Sequence, residues 1–329
     1  MEQTTSFPQT LTECIRYFGE GDNAFNFMVG LRWPNGVCCP RCGSKKIGFI
    51  STRKVWECKE CTSKKQFTVK VGTIFEDSAL KLEKWLCALW LIANAKNGIS
   101  SYELHRSIGV TQKTAWFMLH RIRLALRAGS FEKMTGNVEA DETFVGGAAR
   151  FMHDHVRESK GADSGHRHMT PVMGILERTS ESKPSRVKLS VVKTTRRMDL
   201  MPHILKHVEH GSNVFTDSLK SYKGLHHAYT HEVIDHAVEY VRGKIHTNGL
   251  ENFWSLLKRT IKGTYVNVEP FHLEAYLDEQ AFRFNERKDC DAGRFVKACR
   301  GVIGRGLRYL DLIDGKGGED LPLQSAGAR

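Results

Sequence analysis

The stretch NVEADETFVGG at residues 137–147 decides the fold class of this chain. It alternates and ends in Gly-Gly, the pattern of a strand running into a tight turn, and it carries Glu139, Asp141 and Glu142. Downstream, PVMGILER (171–178) and SRVKLSVVK (185–193) read as the next two strands and DLMPHILKHV (199–208) as a helix. SNVFTDS (212–218) is a short apolar strand ending on Asp217. An aspartate at a strand's end is often only a turn or helix cap. Its pairing with Asp141 on another strand makes it a site candidate. Strand-like and helix-like segments alternate from residue 135 to about 290, which places this region in the α/β class.

IHTNGLENFWSLLKRTIKG (245–263) reads as a helix. At about 100° per residue, Leu250, Phe253, Trp254, Leu257 and Ile261 fall within one sector about 100° wide. Asn248, Glu251, Ser255, Lys258 and Lys262 fall opposite. Such a helix packs by one side and offers a polar side, which either faces water or aims Glu251 at Asp141 and Asp217. In the second case Lys258 lies two turns along the same face, with Arg259 beside it, placed to meet DNA.

The chemistry behind such a constellation is attack on a phosphodiester. It needs an activated water or 3′-hydroxyl and a stabilised leaving oxygen, which two Mg2+ (or Mn2+) ions about 3.5–4 Å apart supply. Mg2+ takes carboxylate oxygens and keeps several waters, so acidic residues from separate elements must converge. A chain with 37 acidic residues offers many triples, so this one gains weight only from its surroundings.

Those surroundings begin with a cysteine box. CPRC (39–42) and CKEC (58–61) give C-x2-C, fifteen residues, C-x2-C, the spacing of a four-cysteine zinc ribbon. Cys39, Cys42, Cys58 and Cys61 are its ligands; Cys38 is adjacent, but the x2 spacing favours Cys39. A zinc ion held by four thiolates is coordinatively closed, so its role is structural. Lys45, Lys46, Arg53, Lys54, Lys64 and Lys65 surround the box and either contact DNA or form a solvated basic surface.

Two helical stretches follow. LKLEKWLCALWLIAN (80–94) places Leu82, Trp85, Leu86, Leu89 and Ile92 at helical spacing. In GISSYELHRSIGVTQKTAWFMLHRIRLAL (98–126), Ser100 or Ser101 caps a short helix, Gly109 is the turn, and Thr111 caps a second helix. Ala115, Trp116, Leu119, Ile122 and Leu126 form its buried face, and Lys113, His120, Arg121, Arg123 and Arg127 are spread over the rest. This is the layout of a helix-turn-helix, whose second helix enters the major groove, or of a plain helical hairpin between domains.

The net charge of +12 and pI near 9.3 attract polyanions. No run reaches the ~18 apolar residues of a spanning helix, and the N-terminus lacks a signal-peptide layout, so the chain reads as soluble and intracellular, with no membrane partner. Nine cysteines cannot all pair, and clustered cysteines in a reducing compartment read as metal ligands.

In combination, CPRC and CKEC, GVTQKTAWFMLHRIR, VEADETFVGG, FTDSLKSYKGL and HTNGLENFWSLLKR resemble the DDE transposases of small bacterial insertion sequences that carry an N-terminal zinc ribbon, the ISXO-like group. The match spans roughly residues 20 to 290 in the expected order. The resemblance implies a ribonuclease-H-like core, a mixed five-stranded sheet flanked by helices with the carboxylates gathered at one edge. It implies that Asp141 takes the first catalytic place and Asp217 the second. The third place goes to Glu251, with Asn248 as the alternative ligand and Lys258 as the following cation.

The expected organisation is a zinc-ribbon domain (1–75), a helix-turn-helix region (76–132), a catalytic domain (133–290) and a fraying Gly-rich C-terminal tail (291–329). Residues 148–169, basic and His-rich, read as a loop that orders on DNA or as a flexible linker; His246 is a possible neighbour of the site. The expected function is DNA end binding, strand cleavage and strand transfer by at least a dimer on DNA. The rivals are a zinc-ribbon transcriptional regulator that cuts nothing and a ribonuclease-H-like nuclease that does not join strands.

Overall fold

The computed structural model describes residues 7–127, 132–147, 153–159, 168–181, 183–217, 220–234, 247–314 and 319–320. The chain divides into two compact units, one of Met1–Arg127 with Asp289–Arg329, the other of Ala128–Lys288. In the first, α1 (Leu11–Gly19) opens on a capping box between Thr10 and Glu13, and α2 (Asn23–Arg32) follows. The strands β1 (Ile47–Ile50), β2 (Val55–Cys58) and β3 (Gln66–Phe67) pair antiparallel. Their core is aromatic: Trp56 stacks on Phe25 and Phe67 at 5.5 and 5.8 Å and meets Trp33 edge-on at 5.3 Å.

In α3 (Leu82–Asn94) the expected residues Trp85, Leu86, Leu89 and Ile92 are buried, and so are Ala88, Trp90 and Ala93. The last two turns of sequence periodicity are blurred because helices pack on more than one side of it. α4 (Ser101–Ile108) and α5 (Gln112–Leu126) are two helices joined by a short turn. Ser100 caps α4 in a second capping box, Gly109 takes the left-handed conformation at φ 61°, and Thr111 accepts from the Thr114 N–H at the start of α5.

The second unit holds β4 (Asn137–Val145), β5 (Thr170–Glu177), β6 (Arg186–Val191), β7 (Asn213–Asp217) and β8 (Thr230–Ile234) in one sheet, in the order β6-β5-β4-β7-β8. The first three run antiparallel; β7 lies parallel to β4, and β8 parallel to β7. This is the mixed ribonuclease-H-like sheet that the motifs imply. A short helix, α6 (Asp154–Ser159), interrupts the segment read as a loop at 148–169; residues 148–152 and 160–167 lie outside the described residues.

Because side chains alternate along a strand, the sheet has two distinct faces. On one, α7 (Arg197–His207) packs Leu200 and Ile204 against Val138, Ala140, Ile175 and Val214. On the other, α8 (Asn248–Thr260) and α9 (Leu273–Asn285) bring Leu250, Phe253, Leu257 and Leu277 against Val172, Leu176, Val187 and Leu189. Each such side chain contributes about 1.5–3 kcal/mol on full burial, so both layers hold the sheet firmly.

The chain then returns to the first unit, which corrects the expected C-terminal tail. α10 (Asp291–Arg300) buries Phe295 and Cys299 completely, and Phe295 packs on Phe18, Phe27 and Trp90 at 5.7, 5.8 and 5.1 Å. β9 (Arg305–Gly306) pairs with β10 (Glu319–Asp320) on either side of α11 (Tyr309–Ile313). The tail reading extended the Gly-rich composition of the last residues over an amphipathic helix. Residues 315–318 and 321–329 lie outside the described residues.

The same return corrects the DNA-contact reading of α5. His120, Arg121 and Arg123 are 2, 8 and 1% exposed. Arg121 donates through Nε to the Leu307 carbonyl at 3.0 Å and through Nη1 to the Glu76 carbonyl at 2.8 Å. Arg305 caps the end of α5 by donating to the carbonyls of Leu124, Ala125 and Arg127. These guanidiniums bind the fold together and are not open to DNA. Trp116, expected in the buried face, is half-buried. Lys113 is exposed at the N-terminal turn of α5, over the Tyr309 ring at 4.9 Å, and Arg106 is exposed on α4. Arg121→Ala is therefore expected to lower the Tm and spare the DNA affinity of the folded fraction. Lys113→Ala with Arg106→Ala should do the reverse, weakening DNA binding about tenfold and flattening its salt dependence by roughly one ion per side chain. Thermal melts beside DNA titrations at two salt concentrations decide between them.

Among the described residues, no helix is long and apolar enough to cross a membrane.

Candidate active site and zinc site

The four expected cysteines converge. Cys39 and Cys42 lie in the turn before β1, Cys58 ends β2, and Cys61 follows it. Their sulfurs all lie within 4.8 Å of one another; Cys39 and Cys61 are 3.8 Å apart, and Cys42 and Cys58 are 3.5 Å apart. A tetrahedral zinc with Zn–S near 2.3 Å needs sulfurs about 3.8 Å apart, so the donor set and its spacing fit the ion. The turns are tied by backbone bonds, Gly43 N–H to the Cys39 carbonyl and Cys39 N–H to the Ser44 carbonyl, both 2.9 Å. Cys38 is not part of the cluster. Stripping the metal with a strong chelator is expected to unfold this module, since its few core side chains cannot replace the bond energy of the ion. Trp56 fluorescence should shift to the red, and added Zn2+ should restore it; an unchanged spectrum would leave the cysteines as plain thiols.

The carboxylates are placed by β4, β7 and α8. Glu139 pairs with Phe215 in the β4–β7 register, so Asp141 on β4 comes level with Asp217 at the end of β7. Both strands are interior to the sheet; Asp141 lies midway along β4 and Asp217 at the end of the shorter β7. α8 crosses this face with Leu250, Phe253, Trp254 and Leu257 buried, and Asn248, Glu251, Ser255 and Lys258 exposed, the division that the helical spacing predicts. Burial raises the Asp141 carboxyl to about 6, and the nearby charges of Asp217 and Glu251 push in the same direction. Against them, the Trp254 indole N–H donates to Asp141 Oδ2 at 2.9 Å, and the backbone at Glu142 adds a second bond. Asp141 thus lies within reach of the charges of both Asp217 and Glu251. The three carboxylates are not drawn as tightly as the cysteines, which among the described residues are the group whose ligand atoms close to within 4.8 Å. A two-ion site tolerates that spread, because ions about 3.5–4 Å apart separate the ligands at its two ends. Carboxylates brought from two strands and a helix are the hard oxygen donors that Mg2+ takes.

Sequence spacing alone misses several residues that shape this site. Asp141 stands opposite Gly174 of β5, and the Trp254 ring lies over that glycine; a Cβ at Gly174 would sit 2.6 Å from the indole and 2.9 Å from Leu250. Trp254, read only as a core residue, therefore reaches Asp141 because β5 offers no side chain there. Glu139 is 1% exposed and accepts from the Leu250 N–H at 2.9 Å and from Arg178 Nε at 2.7 Å. It ties the first turn of α8 to the strand that carries Asp141. Glu142 points to the opposite face, accepts from the Tyr222 hydroxyl, and is raised to about 9 by burial and by the charges of Asp141 and Asp217. The alternation of β4 does put Glu139 on the same side as Asp141; nothing in the spacing marks Arg178 or Gly174. His246 lies outside the described residues.

Residues 133–285 match the ISXO2-like transposase domain, and residues 20–64 match the transposase zinc-ribbon domain. An uncharacterised protein in transposable element ISH50 of Halobacterium salinarum is 30% identical over 258 residues, 74% of this chain and 84% of that protein. The chain belongs to the ISXO2-like transposase family. A transposase-like protein of Haemophilus influenzae is 32% identical over 96 residues, 29% of this transposase and 77% of the relative. The zinc-ribbon match encloses all four cysteines, and the transposase-domain match encloses Asp141, Asp217, Asn248, Glu251 and Lys258. Both domains imply DNA as the partner of this transposase.

Proposed function

We propose that this transposase binds the terminal inverted repeats of an insertion sequence and catalyses Mg2+- (or Mn2+-) dependent strand cleavage and strand transfer at Asp141, Asp217 and Glu251. The observation that carries the reading is the convergence of Asp141 of β4, Asp217 at the end of β7 and Glu251 of α8 on one face of the sheet. Burial first, and then the charges of Asp217 and Glu251, raise the Asp141 carboxyl to about 6. When bound, two divalent ions activate the attacking oxygen and stabilise the leaving one. The residues hold and orient. Trp254 fixes one oxygen of Asp141 and so orients its carboxylate. Asp217 supports from β7, and Glu251 from the exposed face of α8, with Asn248 one turn before it as an alternative ligand. Lys258 and Arg259, exposed further along α8, contact DNA phosphates.

In the first step the oxygen of water bonds to the phosphorus at the element's end, and the bond to the 3′-oxygen breaks. The freed 3′-hydroxyl then attacks a phosphodiester of the target and displaces its 3′-oxygen, without a covalent protein–DNA intermediate. End binding falls to the zinc ribbon and to Lys113 and Arg106 of the helix-turn-helix, and joining two ends requires at least a dimer. The test is purified protein with labelled DNA carrying the element's ends and a target plasmid, in Mg2+ or in EDTA. Metal-dependent nicks plus joined products are expected. Nicks without joining would make it a nuclease, and binding without either would make it a regulator.

A further inference from the structure

Beside the carboxylates, a groove of about 640 Å3 runs between the end of β4 and the segment that follows α8. Its floor is apolar, made by Val145, Ile261 and Val268, while Lys258 and Lys262 stand exposed along its rim. Two irregularities hold this rim. The chain leaves α8 through a π-helical turn at Ile261–Tyr265, and Val266 then takes φ 63° while 78% exposed. A β-branched residue at positive φ is strained, and π turns and strained residues gather at functional sites. The turn is fixed from behind by the Tyr265 hydroxyl, which donates to Glu279, and by edge-on packing of Tyr265 on Tyr276 at 4.7 Å.

An apolar slot with two ammonium groups on one lip suits a ligand with a flat apolar body and an anionic edge. The volume lies in the range of about 300–1,000 Å3 typical of small-molecule sites, room for one nucleoside with its phosphate. We propose that this groove receives a single unstacked nucleotide of the DNA end, its base on Val145, Ile261 and Val268 and its phosphates on Lys258 and Lys262. Extruding a base costs a few kcal/mol, and an apolar pocket returns part of that. The inference rests on the transposase reading for the identity of the DNA, but not on Asp141, Asp217 or Glu251.

The test compares the full chain binding a thymidine hexamer and an abasic hexamer of equal charge, by fluorescence anisotropy in EDTA-free buffer with Ca2+. The thymidine hexamer should bind about tenfold more tightly, in keeping with roughly 1–3 kcal/mol per buried base. Val268→Gln should bring that ratio close to one with the abasic affinity unchanged. Lys262→Ala should weaken both hexamers by a similar factor and leave the ratio intact. A 4-thiothymidine hexamer irradiated in the complex should crosslink to peptides holding Phe144–Gly147 or Lys258–Val268. A ratio near one in the wild type, a ratio that survives Val268→Gln, or crosslinks confined to other peptides would each overturn the proposal. Metal-dependent cleavage of ordinary ends alongside any of these results would leave the transposase reading standing while the pocket fell.

Discussion

Asp141→Asn is expected to abolish strand cleavage, by roughly a thousandfold or more, and yet to stabilise the metal-free protein. The loss follows from removing a ligand worth several kcal/mol of transition-state charge stabilisation. The gain follows from the direction of the Asp141 shift. Burial, then the charges of Asp217 and Glu251, raise its carboxyl to about 6, above the unfolded value of about 3.9. The folded state therefore holds the proton more tightly. Its contribution to stability is complete below about pH 4 and is lost as pH rises through about 6. At neutral pH the ionised group costs up to about 3 kcal/mol, which the amide does not. The Tm of the catalytic unit in EDTA should rise by roughly 5–10 °C. Saturating Mn2+ should raise the wild-type Tm by mass action and leave Asp141→Asn nearly unmoved. An amide variant that melts lower than wild type in EDTA, or a wild type indifferent to Mn2+, would remove the carboxylate cluster from the account. Trp254→Phe supplies the matching pH result. It deletes a hydrogen bond that lowers the Asp141 carboxyl, so the acid limb of cleavage should move to higher pH.

What could be read from the sequence was whatever a local pattern encodes. The cysteine spacing, the caps at Ser100 and Thr111 and the two-sided helix at Asn248–Thr260 are set by neighbours within a few residues, and each appears in the structure as expected. Helix α5 shows where this fails. Its basic residues look solvent-facing from periodicity, but Leu307 and Arg305, nearly two hundred residues away in the chain, cover and cap that end. A guanidinium bonded to backbone carbonyls in a core leaves the same letters in a sequence as one waiting for phosphate. The return of α10 was hidden for a related reason, since its short apolar stripe precedes a long polar, Gly-rich end that dominates the composition. At the site, Asp217 was legible as a strand-end acid and Asp141 as an acid within the alternating strand, whereas the Trp254–Gly174 contact depends on β5 lying beside β4 in one register.

Glu139→Ala should be the most damaging change in the catalytic unit outside the carboxylates themselves. Thr247, at the N-cap of α8, makes no side-chain capping bond; the Glu139 carboxylate of β4 takes the Leu250 N–H instead. A negative group there also meets the positive end of the helix dipole. The fit is close, for a Cβ on Gly249 would lie 2.8 Å from Glu139 Oε2. The second oxygen pairs with Arg178, itself over the Phe215 ring at 4.3 Å. Deleting one member of so buried a pair costs about 3–5 kcal/mol, enough to threaten folding at 37 °C. Glu139→Gln is the informative variant, because it keeps an acceptor for Leu250 while dropping the charge towards Arg178. It should fold with a reduced Tm and need several-fold more Mn2+ for half-maximal cleavage, since the turn that carries Asn248 and Glu251 loses its hold on β4. General destabilisation is the competing explanation, and Val187→Ala, a cavity in the same core layer, controls for it. Matched in Tm loss, that variant should keep the wild-type metal requirement. Equal shifts in both would reduce Glu139 to one more buried contact; a shift in Glu139→Gln alone would make it the strut that sets the distance between Asp141 and Glu251.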